Sequence, residues 1–241
     1  LTWRDQFTLA EKPFNYEIRG TLSDYISTID RYNNQTGNLD DYYAGKRVGE
    51  IWGYEANDLF LTNQEVDEYL RGVDMSFFKP NKDWQRGDLK YIDSNGDGKI
   101  DPGSGTLKDH GDLKIIGNTT PRYSFGLNLH AGYKGFEVSA LFQGVMKRDF
   151  PMAASTYLFS GDSNFFKEHL DYYNVYNPGA YLPRLTKPDS PEYNANVGYN
   201  TSRYLLNAAY MRLKNLMISY NFQPKLVKKM GLENLKVYFT C

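Results

Sequence analysis

Three pairs of segments in this chain alternate apolar and polar residues with a period of two, and the connections joining them are short and long by turns. In YSFGLNLHAGY (123–133), Phe125, Leu127, Leu129, Ala131 and Tyr133 fall on one parity, and Ser124, Gly126, Asn128, His130 and Gly132 on the other. Lys134–Gly135 makes a two-residue turn, and FEVSALFQ (136–143) alternates again through Phe136, Val138, Ala140 and Phe142. Such alternation about a short glycine turn predicts a β-hairpin. An earlier pair is LTWRDQFTLA (1–10), with Trp3, Phe7 and Leu9 on one parity, and FNYEIRGTLS (14–23), with Phe14, Tyr16, Ile18 and Leu22; Glu11, Lys12 and Pro13 read as the turn between them. A later pair runs from about Arg203 to Phe222 and from Leu235 to the end, where Leu216, Ile218, Tyr220 and Phe222 share one face, as do Leu235, Val237 and Phe239. Between these last two, PKLVKKMG (224–231) reads as one or two helical turns with Pro at the start and Gly at the end. The expected strands are therefore about 1–10, 14–24, 122–133, 136–146, 204–222 and 235–241.

The remaining stretches, 27–121 and 147–203, are rich in Tyr, Asn, Asp, Gly and Pro. In the first, TNQE (62–65) is a capping box and Gly72 a stop, which predicts a short helix. In the second, SNFFKEHLDYY (163–173) predicts another. Compact domains rarely use connections of this length. Short turns alternating with long loops belong to transmembrane β-barrels, and strands of about ten residues suit a tilted span. The fold class expected is all-β: an antiparallel transmembrane β-barrel fragment of about six strands, with two long extracellular loops carrying short helices. The polar parity, Asn128 and His130 among it, would face a wet lumen. A soluble antiparallel sandwich explains the same alternation as core-in and water-out. The placement of Leu127, Leu129, Val138 and Leu216 separates the two: an outward lipid face, or a dry core between sheets.

Composition narrows the partners. With 28 basic and 29 acidic residues among 241, the net charge of −1 offers no field for nucleic acid, and no nucleic-acid partner is expected. Aromatics reach 16%, led by 21 Tyr, a residue suited to interfaces. The single cysteine, Cys241, excludes an internal disulfide. No apolar run approaches a membrane helix, and no leader is expected at Leu1. It begins at Leu1, and both ends read as cut from within strand-like sequence, so a portion of something longer is expected.

One stretch carries metal chemistry. DSNGDGKID (93–101) matches the first nine positions of an EF-hand calcium loop: Asp93, Asn95 and Asp97 at positions 1, 3 and 5, Gly98 at 6, the Lys99 carbonyl at 7 and Asp101 at 9. Position 12 is Ser104 and not Glu, and Pro102–Gly103 prevents an exiting helix. The expectation is an EF-like loop without EF helices, holding structural Ca²⁺, with a later carboxylate, Asp109 or Asp112, completing the shell. The same residues also make an Asx/Gly-rich turn with no ion.

Nothing else in the chain points to catalysis. His110, His130 and His169 show no metal spacing, and there is no nucleophile elbow, P-loop or dinucleotide glycine signature. No enzyme is expected. NQT (34–36), NTT (118–120) and NTS (200–202) match the glycan acceptor pattern by chance. Trp52, Tyr54, Tyr157, Tyr172 and Tyr176 are candidates for stacking on sugar faces, with loop packing as the plainer role.

Several segments together resemble a known family. They are RVGEIWGYEANDLF (47–60), GDLKYIDSNGDGKID (87–101), GDLKIIGNTTPRYSFGLNLHAGYKGFEVSALFQG (111–144), FKEHLDYYNVYNPGAYLPRL (166–185) and RYLLNAAYMRLKNLMISYNFQPKLVKKMGLENLKVYF (203–239). Their order and spacing resemble the C-terminal part of the SusC/RagA family of TonB-dependent outer-membrane transporters. The resemblance implies a large plugged barrel in the outer membrane of Bacteroidetes-type bacteria, importing oligosaccharides, peptides or other nutrients. It implies energy from the TonB complex, a SusD-like lipoprotein over the extracellular mouth, and outer-membrane lipid around the wall. It also implies that PGSGTLKDHG (102–111) is an insertion in the loop and that Asp112, shortly before Ile116–Gly117, is the missing ligand. The metal set expected is then Asp93, Asn95, Asp97, Lys99, Asp101 and Asp112. The energy-coupling box and the plug belong to the family's N-terminal portion and are not in this sequence, so six strands alone are not expected to transport anything. The alternative from another class is a soluble carbohydrate-binding or adhesin-type β domain with a structural calcium site.

Overall fold

The computed structural model describes residues 1–152, 167–187 and 190–241. Contacts divide the chain into two units: Leu1–Ile26, Pro121–Arg148 and Ala208–Cys241 form one, and Ser27–Thr120 with Asp149–Asn207 the other.

The first unit is a single antiparallel sheet of six strands in chain order: Thr2–Leu9, Lys12–Ser23, Arg122–Tyr133, Phe136–Lys147, Tyr210–Asn221 and Lys236–Thr240. The first and last strands are edges, so the sheet is open in this chain. Two turns are two residues long and place both residues at positive φ: Ala10 and Glu11 at 47° and 62°, Lys134 and Gly135 at 51° and 88°. That conformation matches the twist of the flanking strands. The first turn thus falls one residue before the expected Glu11–Lys12–Pro13, because Thr8↔Pro13 and Leu9↔Lys12 still pair and carry the ladder to the tip.

Register turns the alternation of each strand into two continuous faces. Ile18, Leu129, Ala140 and Leu216 stand in one row, and Phe7, Phe14, Tyr133, Phe136 and Tyr220 in another. A bulge between Leu213 and Asn215 makes Lys214 the extra residue in its strand. It switches the strand's parity, so that Leu213 (opposite Phe142) and Leu216 (opposite Ala140) lie on the same apolar face. The opposite face carries Arg4, Glu17, His130 and Ser139 in one row, with ion pairs of 2.7 Å between Arg4 and Glu17 and between Lys236 and Glu137. Among the described residues, all strands of this unit belong to that sheet, and Val145, Ser219 and Val227 are its only buried side chains. Ile18, Val138 and Ile218 remain 40–43% exposed. The apolar face is a bare row of hydrophobic side chains and not one half of a dry core.

Two expectations need correction. The strand expected over 204–222 is two strands: Leu205–Asn207 pairs with Asp149–Pro151 in the second unit, and the sheet strand begins at Tyr210. The apolar pattern runs through both, but the partner changes at Ala208–Ala209. The stretches expected as two long loops fold together around one hydrophobic core. Short antiparallel pairs run through this unit, Glu50–Gly53 with Lys114–Asn118 and Ala56–Leu59 with Leu89–Tyr91, along with the parallel pair Tyr172–Tyr173 and Leu182–Arg184. Phe78 stacks on Tyr91 at 4.2 Å, and Tyr54 meets both rings edge-on at 5.2 and 5.6 Å.

The capping box forms as the sequence dictates. Thr62 Oγ1 accepts from Glu65 N at 3.1 Å, Glu65 Oε2 accepts from Leu61 N, and the helix covers Asn63–Leu70. Of the helix expected over 163–173, residues 163–166 lie outside the described residues. Lys167–Leu170 is a 3₁₀ turn and Tyr172–Tyr173 a strand, because Leu182–Arg184 supplies a backbone partner. A second helix, Pro191–Val197, starts from Ser190, whose side chain accepts from Tyr193 N.

Candidate functional site

Two acidic centres stand out in the second unit, one expected and one not. In the EF-like loop, Asp93 Oδ1 accepts from Gly96 N at 2.6 Å and Oδ2 from Gly98 N at 2.9 Å. Asn95 Oδ1 accepts from Asp97 N, and Asp97 Oδ1 from Lys99 N, so successive side chains fold the backbone into Asx turns. Gly96 and Gly98 both sit at φ +79°, which explains glycine there. Asp101 Oδ1 accepts from Gly103 N, and the Lys99 side chain is exposed.

Asp112 lies against both ends of this loop. Only 1% exposed, it accepts from Ser94 N at 2.7 Å and Asn95 N at 3.4 Å through Oδ1, and from Asp101 N at 3.0 Å through Oδ2. Its own N–H donates to Asp101 O at 2.9 Å, so residues 102–111 leave and return between neighbours. Asp109 stays within that excursion, accepting from Ser104 N at 2.9 Å. Burial pushes the Asp112 carboxyl above its ordinary range, three backbone N–H groups oppose this, and the nearby Asp93 charge adds to it.

The donor set suits a hard cation in kind: carboxylates, an amide oxygen and a backbone carbonyl. As placed, the side-chain oxygens point at backbone N–H groups, and among the described residues no three His, Cys, Asp or Glu side chains are grouped to hold a metal. A carboxylate accepts more hydrogen bonds than these use, so capacity for a further partner remains.

The unexpected centre is Asp88. Its side chain is 0% exposed, and Oδ2 lies 2.6 Å from the Lys79 ammonium, itself 0% exposed. Gln85 N donates to the same oxygen at 3.0 Å. Oδ1 receives Arg184 Nε at 2.6 Å and Asn196 Nδ2 at 2.9 Å. Asn196 Oδ1 accepts in turn from Leu89 N at 2.7 Å. Lys79 lies over the Trp84 ring at 4.3 Å. Burial pulls the Lys79 ammonium below its ordinary value, and Asp88 opposes that pull. A buried charge persists only when paired and hydrogen-bonded, which describes Lys79 and Asp88.

Sequence reading passed over Lys79, Asp88, Arg184 and Asn196. A signal existed: Gly-Asp-Leu-Lys occurs twice, at 87–90 and 111–114. Both glycines have positive φ, 85° at Gly87 and 51° at Gly111, and both aspartates are buried acceptors of backbone N–H groups.

The stacking candidates separate. Tyr54 is 2% exposed and belongs to the core, so its role is the packing one and not sugar stacking. Trp52 is half-buried, and its Nε1 donates to Tyr43 Oη and Glu50 Oε1 at 3.1 Å. Tyr43 donates a short hydrogen bond to Glu50, and burial together with that carboxylate pushes its phenol up to about 12. Tyr172 is half-buried, Tyr176 is almost fully exposed, and Tyr157 lies outside the described residues. The histidines stay apart in kind of setting: His130 on the polar sheet face, His110 5.6 Å from the Trp52 ring, and His169 buried in the segment 167–170.

Comparison with known proteins places this geometry. No family model matches the chain. It is 27% identical over 196 residues to TonB-dependent receptor P3 of Formosa agariphila, covering 80% of this chain and 17% of that protein. It is 29% identical over 192 residues to TonB-dependent receptor P39 of the same organism, covering 75% of this chain and again 17% of the relative. The chain therefore spans about a sixth of these curated relatives. Among solved structures, the RagAB peptide importer in its open-open state matches with a TM-score of 0.57 at 15% identity, over 99% of this chain and 24% of that one. The closed-closed state matches with a TM-score of 0.55 over the same shares. Curated relatives, fold neighbours and the ordered segments of the sequence agree: the chain is similar to TonB-dependent receptors of a Bacteroidetes and shares its fold with part of the RagAB importer.

Proposed function

We propose that this chain supplies wall strands and extracellular structure to an outer-membrane transporter that imports nutrients, powered by the TonB complex and capped by a SusD-like lipoprotein. The carrying observation is the two-faced sheet. One face is apolar from strand to strand, and a bulge preserves that across a parity switch. At its short-turn end the aromatic row Phe7, Phe14, Tyr133, Phe136 and Tyr220 has the character of a membrane-interface girdle. The other face is polar and ion-paired, as a wet lumen requires. The soluble carbohydrate-binding or adhesin-type reading needs the apolar face packed in a dry core, and its half-exposed side chains favour the wall.

The test is accessibility in native outer membranes. In a receptor with Cys241→Ser, cysteines at Leu127, Leu129, Val138 and Leu216 should resist a water-soluble maleimide and react with a lipid-soluble one. Cysteines at Asn128 and Ser139 should show the opposite preference. Equal water access on both parities would sink the wall assignment.

The cargo is an oligosaccharide or a peptide. The fold neighbours are named as peptide importers, and Trp52 and Tyr176 are ring surfaces suited to either. Uptake of labelled peptides and of labelled oligosaccharides, each with and without an active TonB complex, separates the two.

We further propose Ca²⁺ for the loop, held by Asp93, Asn95, Asp97, the Lys99 carbonyl, Asp101 and Asp112. The support is the order of ligand types and the place of Asp112 against both loop ends. The ion would add charge balance to carboxylates now satisfied by backbone N–H groups and, at Asp97, by the Asn95 side-chain amide. Asp93→Ala with Asp97→Ala should abolish calorimetric Ca²⁺ uptake and loosen 87–121; no uptake by the unmodified receptor refutes the proposal.

A further inference from the structure

We infer that Asp88 is a pin that makes the two insertions, Ser27–Thr120 and Asp149–Asn207, open and close as one body. The insertions are separated along the chain by a whole hairpin, so nothing covalent obliges them to move together. Asp88 and Lys79 come from the first insertion, Arg184 and Asn196 from the second, and all four meet at one carboxylate. Around the pin, Arg184 N donates to Gly87 O at 2.9 Å and Tyr91 Oη to Ala195 O at 2.6 Å. Gly87 leaves no room for a side chain, since a Cβ there would stand 2.3 Å from the Tyr173 ring.

The chemistry makes partial separation unfavourable. Withdrawing the second insertion strips Asp88 of Arg184 and Asn196 and leaves Lys79 and the Gln85 N–H as its remaining partners. A buried pair that loses its supporting hydrogen bonds is far worse than one kept whole. The opening that strands none of these groups is the one in which the shared core also exposes, wetting all four at once. Such a unit opens as a single body: whatever holds or displaces one insertion holds or displaces the other. This does not depend on the calcium or cargo readings.

Hydrogen exchange on the full-length receptor in outer-membrane vesicles tests it. Peptides covering 54–60 and 172–187 should share one opening rate in the unmodified protein. Asp88→Asn, which keeps shape and removes charge, should speed exchange in both by the same factor, at least about tenfold. Strand amides of 124–145 should not change. No acceleration, or acceleration in one insertion while the other keeps its protection, overturns the pin. Should Asp88→Asn also unprotect the strands, Arg184→Met decides, because it spares the Lys79–Asp88 pair. A shared acceleration of roughly two- to tenfold supports the pin, and one confined to 172–187 refutes it.

Discussion

Phe60 and Leu127 are both apolar, Leu127 within a strand and Phe60 directly after one, yet their surroundings differ in kind. Phe60 is fully buried, with the rings of Tyr69 and Trp84 at 5.5 and 6.5 Å. Leu127 stands in a sheet face that no second layer of its own unit covers, opposite Gly20 and Phe142. The second unit is organised as a water-soluble domain is, with a closed core, capped helices and paired buried charge. The first has its hydrophobic residues on one bare face and its ion pairs on the other. On the proposed wall reading, hydrophobic burial is supplied by the protein in one unit and by lipid in the other, and the two should respond to opposite perturbations.

The largest effect that would break this contrast is in the core. Phe60→Ala should cost the second unit about 3–5 kcal/mol, read from the fluorescence of the adjacent Trp84 in a urea titration. A loss under 1 kcal/mol would mean that the unit has no working core. Next, Leu127→Arg should cost about 2–4 kcal/mol for folding into lipid vesicles, while Asn128→Arg, one residue away on the other face, stays within about 0.5 kcal/mol. Similar costs at both positions would erase the distinction between faces. Alkaline pH should act on the second unit. The Tyr43 phenol is raised to about 12 in the folded protein, so its contribution is whole below the unfolded value of about 10 and is lost as pH rises through 12. That loss is on the order of 2 kcal/mol, and Tyr43→Phe should flatten it in a stability–pH profile. The smallest effect is Thr62→Ala, which removes a helix cap worth about 1 kcal/mol and should shift the same urea midpoint slightly.

How much of this was legible follows from the same division. A sheet with two unlike faces writes itself into sequence as strict alternation, so the hairpins around Lys134–Gly135 and Ala10–Glu11 could be read almost residue by residue. The break at Ala208–Ala209 could not, since Leu205 and Leu206 continue the apolar pattern while their backbone pairs elsewhere. The second unit was taken for loops because its core residues arrive singly or in short runs, Tyr54, Phe60, Met75, Phe78 and Trp84, from chain too irregular to show a period. Within the acidic loop, DSNGDGKID announced its own turns, but Asp112 was reached through family resemblance and confirmed as a neighbour only by its hydrogen bonds. Asp88 and Arg184 stand 96 positions apart, and no local rule links them. The doubled Gly-Asp-Leu-Lys was the one textual hint, and its meaning became visible only when both aspartates proved buried.

The ends of the insertions have a consequence of their own. Val48 N donates to Ser27 O at 2.9 Å and Val48 O accepts from Thr120 Oγ1 at 2.7 Å, so the first insertion begins and finishes at one residue. Asp149 pairs with Asn207, so the second does likewise. Each insertion is a closed parenthesis in the chain. A chain built this way can exchange its whole second unit for another while every strand of the sheet keeps its register, provided the newcomer presents two doorways of the same width.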